Sequence, residues 1–143
     1  MIQYRDTDRA QFELFKSLPR DTPINMLNLV RFHDAAQYLA DHALAGAGLT
    51  GAQAYANYGA ASGPVLARVG GNIVWRGGFD MSLIGPTEEH WDAMFIAHYP
   101  TAGAFLAMVT DPEYQRAVVH RQAAVSDSRL IRTQPLPPSD IFA

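Results

Sequence analysis

Two segments of this chain are apolar on both faces. Ile24 to Phe32 reads INMLNLVRF, with Ile24, Met26, Val30 and Phe32 on one side and Leu27 and Leu29 on the other. Trp91 to Tyr99, WDAMFIAHY, has the same two-sided character. A strand of this kind is expected in the middle of a sheet, with cover on both of its faces. The rest of the pattern is organised around these two strands.

The N-terminus predicts a short helix capped by Asp6 or Thr7, with Phe12 and Phe15 on one face, ended by Pro19 to Pro23. His33 to Leu49 is alanine-rich and reads as a loop with some helix. It contains Gly46-x-Gly48-x-x-Gly51, but no strand precedes this G-x-G-x-x-G, so it reads as loop rather than dinucleotide fingerprint. Thr50-x-x-Gln53 is a capping box and opens a long helix. On that helix Tyr55, Tyr58, Gly59, Ser62, Val65, Leu66 and Val69 share a face. Pro64 is expected to kink it and Gly70-Gly71 to stop it. Asn72 to Ile84 is strand-rich, with a bulge expected at Gly77-Gly78, and pairs as an antiparallel hairpin with Trp91 to Tyr99. Thr101 caps a short helix. Asp111-Pro112-Glu113 starts another that runs to about Val125, with proline at its first position. Asp127-Ser128 is expected to break it before a last strand, Arg129 to Thr133.

The order is a helix followed by β-α-β-β-α-β, the split βαβ arrangement of ferredoxin-like α+β folds. Helices cover one face of such an antiparallel sheet. The other face is also apolar here, so a homodimer through that face is expected. The whole chain, 1–143, reads as one domain, with a helical extension over 1–23 and a Pro-rich tail over 134–143.

Composition narrows the function. Eleven basic residues stand against 14 acidic ones, net −3, and the only lysine is Lys16, so no basic platform for nucleic acid is present. There is no cysteine, which removes disulfides, thiolate catalysis and cysteine-based metal sites. The histidines show no zinc-helix spacing, and no Walker loop or nucleophile elbow occurs, so no metal and no bound cofactor are expected. The start lacks the apolar core of a signal peptide and no segment is long enough to span a membrane. A cytoplasmic location is the resulting expectation.

The ordered set Asn25 to Phe32, Thr50-Gly51 with Ala54-Tyr55 and Tyr58, Gly70-Gly71, Tyr99-Pro100 with Ala104-Phe105, Asp111-Pro112-Glu113-Tyr114-Gln115 and His120-Arg121 resembles domain-of-unknown-function family 1330. That family lies within the dimeric α+β barrel superfamily, and the resemblance runs roughly from Ile24 to Arg132. It implies a ferredoxin-like fold and a dimer whose two sheets form a barrel. It implies no particular reaction, although relatives in the wider superfamily include cofactor-free monooxygenases, lactone isomerases and haem enzymes.

Five residues stand out as candidates for a ligand pocket between sheet and helices. Asn28 places an amide in the middle of an apolar strand face. Tyr55 and Tyr58 sit beside Gly59 and Ser62, which leaves room for a planar ligand. His98 alternates with Met94 and Ile96, points into an apolar layer, and is the one candidate general base. Arg121 lies within about 60° of Tyr114, Val118 and Val125 on the last helix, so a permanent cation sits in an apolar stripe. It needs either an internal partner, such as Asp92, Asp127 or backbone carbonyls, or a ligand carboxylate. Two functions follow. One is a small cofactor-free enzyme acting on a compact organic acid or aromatic. The other is a non-enzymatic ligand-binding or stress-related module with the same pocket. A proton-transfer group facing the cavity separates them.

Overall fold

The two doubly apolar segments become the inner strands of a four-stranded antiparallel sheet. In the computed structural model, which describes residues 2–143, β1 (Ile24–Phe32) and β3 (Ala93–Tyr99) lie side by side. They are flanked by β2 (Asn72–Gly77) and β4 (Val125–Thr133), giving the order β2-β3-β1-β4. The helices are α1 (Arg9–Ser17), α2 (Gly51–Arg68), α3 (Ala102–Val109) and α4 (Pro112–Ala124). This is the ferredoxin-like α+β topology, preceded by one extra helix.

Register assigns each side chain to a face. Ile24, Met26, Asn28 and Val30 pair with Tyr99, Ala97, Phe95 and Ala93. Across the other edge, Met26, Asn28 and Val30 pair with Arg132, Leu130 and Ser128. These residues face the helices, and Ile24, Met26, Val30, Ala97 and Tyr99 are buried there. The odd-numbered residues of β1 face away. Leu27 pairs with Ile96 and Ile131, Leu29 with Met94 and Arg129, and Asn25 with His98. No helix covers this second face, and Trp75 and Ile131 remain 46% and 47% exposed on it.

Local chemistry explains the element ends, with several departures from the sequence pattern. Thr50 and Gln53 form the reciprocal capping box. α2 stays helical through Pro64 and stops at Gly70, which adopts φ +83°. Gly51 is required for a different reason. A β-carbon there would stand 2.0 Å from the His33 carbonyl oxygen, so the third glycine of the G-x-G-x-x-G run serves close packing of a loop on a helix start. Asp111 caps α4 with Pro112 at its first turn. The cap of α1 is Asp8, whose carboxylate accepts the Gln11 amide, in place of Asp6 or Thr7.

Residues 33–49 form turns without helix. The backbone amides of His33 and Gln37 are tied to Ala124 and Ala123 instead. β2 is shorter than the strand-rich stretch suggests and ends at Gly77; its irregularity falls between Ile73 and Trp75. β4 begins at Val125. Asp127 and Ser128 are therefore strand residues, buried at the sheet edge, rather than a break. Among the described residues no helix is long and apolar enough to cross a membrane.

Candidate functional site

α2 and α4 pack on each other and stand over the sheet, and an open cleft runs between the two layers and around the sheet edges as far as Met94 and Ile131. The floor is the helix-facing row of the sheet, including Met26, Asn28 and Phe95. The roof is the tyrosine stripe of α2 together with Tyr114, Val118 and Arg121 of α4. The third side is closed by the N-terminal segment, from Tyr4 through Phe12 to Phe15.

The roof is aromatic and polar at once. The rings of Tyr55 and Tyr58 lie 5.4 Å apart, and Phe32 packs 4.9 Å from Tyr55. The Tyr58 and Tyr114 hydroxyls hydrogen-bond at 2.8 Å. Burial is the main influence that raises the Tyr55, Tyr99 and Tyr114 phenols above their ordinary value, and nearby Tyr58 adds to it. Arg121 opposes the rise at Tyr55 and Tyr114, which places its charge beside both phenols. Neutral phenols donate hydrogen bonds and do not act as bases at neutral pH.

Arg121 is partly buried. Its Nη1 donates to the Arg5 carbonyl at 2.6 Å and its Nη2 to the Ser128 hydroxyl at 3.3 Å. None of the ion pairs among the described residues includes it, so neither Asp92 nor Asp127 serves as its bridge. Asp127 pairs with Arg129 at 2.9 Å. Asp92 accepts the Phe32 amide. Arg132 also lines the cleft, but it caps the end of α1 by donating to the Phe15 and Pro19 carbonyls. Asn28 donates its Nδ2 to the Met26 carbonyl at 3.0 Å, and its carboxamide oxygen has no protein donor among the described residues.

The cleft therefore brings together four of the five sequence candidates, Asn28, Tyr55, Tyr58 and Arg121. His98 is not one of them. Its parity in β3 is opposite to that of the cleft-facing Ala97. Its side chain therefore lies on the helix-free face, where Nδ1 is 2.8 Å from Asn25 Oδ1. The apolar layer that Met94 and Ile96 announce is that open face. His98 therefore does not line the cleft.

His120 is engaged elsewhere as well. Its Nδ1 is 2.6 Å from the Tyr38 hydroxyl, with His42 packed edge-on 5.9 Å away. Burial first, and His42 second, lower its pKa. Among the described residues no group of three or more His, Cys, Asp or Glu is placed to hold a metal.

Three participants escape the sequence reading. Tyr114 is legible in hindsight, because it shares the α4 stripe with Val118 and Arg121. Ser128 and the Arg5 carbonyl carry no signal, since they reach Arg121 only through tertiary folding.

A family model described as a domain of unknown function, DUF1330, matches residues 42–133. The chain belongs to that family. The DUF1330 match begins after β1, so the strand Asn25 to Phe32 and the N-terminal segment lie outside the matched residues. The chain is also similar to the RPA0582 protein of unknown function from Rhodopseudomonas palustris, at 50% identity and TM-score 0.88. That similarity covers 96% of this chain and 100% of the other. A methylated form of RPA0582 is similar at 50% identity and TM-score 0.90, over 98% of this chain and 100% of that one. A protein from Bacteroides fragilis, described as dimeric, of unknown function and with a ferredoxin-like fold, is 11% identical with TM-score 0.46. That match covers 78% of this chain and 95% of the other. No curated protein matches the chain.

Proposed function

We propose that this DUF1330 protein binds an organic acid in the cleft, with the carboxylate on Arg121 and an aromatic or apolar body against the tyrosines. The observation that carries the reading is a permanent cation in an apolar cleft with no acidic partner. A guanidinium held only by a carbonyl and a hydroxyl has its strongest complement still to meet, because a carboxylate accepts its planar fork in two charge-assisted bonds. The groups beside it are neutral phenols and one free amide oxygen. They are suited to holding an anion in place. The two histidines best suited to proton transfer sit outside the cleft, which favours a binding module over a cofactor-free enzyme. Calorimetric titration with benzoate tests the reading. Wild type is expected to bind benzoate better than benzyl alcohol, and a folded Arg121→Met variant to lose that preference. Equal binding of acid and alcohol by wild type overturns it.

The assembly we infer is a homodimer through the helix-free sheet face. Leu27, Leu29, Ile96, Ile131 and Trp75 share that face and form an apolar patch on it. Monomers rarely leave a whole sheet face of this kind wet. Sedimentation at micromolar concentration is expected to give twice the single-chain mass. A species near 15.7 kDa overturns the inference.

A further inference from the structure

We infer that the docking of residues 33–42 on the end of α4 is a pH-sensitive latch, closed while His33 and His120 are neutral and released as they take up protons. The inference stands apart from the carboxylate-binding reading, since neither residues 33–42 nor His120 line the cleft.

Three ties close the latch, all at the C-terminal end of α4. The His33 amide donates to the Ala124 carbonyl and the Gln37 amide to the Ala123 carbonyl, each at 2.8 Å. These are carbonyls that a helix end leaves without an intrahelical partner, so the segment supplies donors that α4 needs. The Tyr38 hydroxyl meets His120 Nδ1 at 2.6 Å. Ala36 and Tyr38 also pack on the buried cluster of Val30, Ala54, Ala123, Ala124 and Val125.

Both histidines are placed so that a proton works against the ties. His33 Nε2 is buried and has no hydrogen-bond partner among the described residues. A proton on the ring would put charge beside a buried nitrogen with nothing to accept from it. His120 faces His42, with ring centres 5.9 Å apart, and His42 stacks on the Tyr38 ring at 4.6 Å. The Leu44 amide donates to His42 Nδ1 at 3.0 Å, which fixes that ring in place. A charge on either imidazole therefore opposes a charge on the other.

The surrounding charges act in the same direction. Burial first, and then Arg5 in the N-terminal strap that precedes α1, lower the pKa of His33; burial and His42 do the same at His120. The other cations on the elements packed against the segment are Arg31 in β1 and Arg116 and Arg121 in α4. The acids are Asp34 and Asp41 in the segment, Asp92, which accepts the Phe32 amide, Asp127, which pairs with Arg129, and Glu113, which pairs with Arg68. None of the ion pairs among the described residues includes a histidine. The first turn of α2 carries no acid.

The pH window follows from the sign. The closed form holds both imidazoles neutral, and the open form returns them to the ordinary value near about 6.5. The open form therefore binds more protons below that value, and opening grows as pH falls through it. One histidine contributes up to about tenfold between pH 7.5 and 5.5, and two together up to about a hundredfold.

Amide hydrogen exchange at pH 7.5 and 5.5, corrected for the intrinsic pH dependence of exchange, tests the latch. Protection of the His33 and Gln37 amides is expected to fall about tenfold or more at the lower pH, while the paired amides of β1 and β3 keep theirs. His120→Asn keeps a hydrogen-bonding atom at the Nδ1 position but does not titrate. His33→Leu removes the unpartnered nitrogen. Each should shrink the pH effect, and the double variant should abolish it. Titration of the wild-type imidazoles by NMR needs no variant, and both His33 and His120 should take up protons below the ordinary histidine value. Equal protection at the two pH values overturns the inference, and so does an equal loss across β1 and β3, which would be acid unfolding of the whole sheet. A pH effect that survives in the folded double variant overturns it too, as does titration of His33 and His120 at or above the ordinary value.

Discussion

Replacing Arg121 by methionine separates a ligand anchor from a strut of the fold. The side chain gives up a hydrogen bond to the Arg5 carbonyl at 2.6 Å and one to Ser128 at 3.3 Å. A charged donor in good geometry contributes roughly 1.5–3 kcal/mol, and a contact near the distance limit contributes little. The Arg5 carbonyl belongs to an exposed segment, so water replaces the lost donor and no buried acceptor is orphaned. Methionine keeps an unbranched apolar stem of similar reach. The net cost is about 1 kcal/mol, which lowers the melting temperature of a domain this size by roughly 3 °C. Breaking one side of a buried ion pair costs roughly 3–5 kcal/mol, and no such pair is present at Arg121. Urea unfolding of the ligand-free variant and wild type, with equal slopes, measures the difference. A loss above about 3 kcal/mol refutes the reasoning, because the guanidinium would then be holding the fold rather than awaiting a ligand.

Asp127 ties the N-terminal strap to β4. Burial opposes its ionisation, but the Tyr4 amide, Arg129 and the Ser128 amide together hold its carboxyl below the usual range. Its contribution is therefore present above about pH 4 and lost as pH falls through the lower folded value, so an Asp127→Asn variant should show a flatter acid limb than wild type. Identical acid limbs would sink this. Tyr55, Tyr99 and Tyr114 titrate above their ordinary value, chiefly through burial. The stability they confer is complete below about pH 10 and lost above it, and their phenolate absorbance should appear only together with alkaline unfolding. Ionisation of all six tyrosines in the folded protein near pH 10 would contradict that burial. Pro112→Gly should cost on the order of 1 kcal/mol in thermal or urea unfolding, since proline fits the first turn of α4 and restricts the unfolded chain. A Pro112→Ala variant that melts higher would contradict that placement.

The architecture was legible because the physics that makes it is local or periodic. Two-sided apolar runs could only be inner strands, and β1 and β3 are the inner pair. The capping box at Thr50 and the Asp-Pro-Glu at 111–113 each mark a helix start, because the orphan amides of a first turn need those side chains. The misreadings fall where tertiary contact outweighs local signal. Asp127 and Ser128 are polar and look like a break. They are held in β4 because the strap amide, a strap carbonyl and Arg129 satisfy them at the sheet edge. Residues 33–49 are rich in helix-forming alanine, yet the amides of His33 and Gln37 are claimed by the end of α4 and that of Ala36 by Leu49.

The site divides along the same line. Periodicity assigns a residue to a face but does not say what covers that face. The alternation that placed His98 in an apolar layer was sound, and so was the stripe that placed Arg121 among Tyr114 and Val118. They differ in outcome because a strand has two apolar faces here and a helix has one. A residue in a helical stripe can only face the sheet, so Arg121 had to enter the cleft. A residue in a doubly apolar strand can face either layer, and only the register of β3 against β1 decides that Ala97 enters the cleft and His98 leaves it. The even-numbered parity of Asn28 could have been linked to Ala97 rather than His98 only with that pairing in hand. The charge that most strongly suggests a ligand was thus readable from one helix alone, while the base that suggested an enzyme depended on a pairing that one strand cannot show.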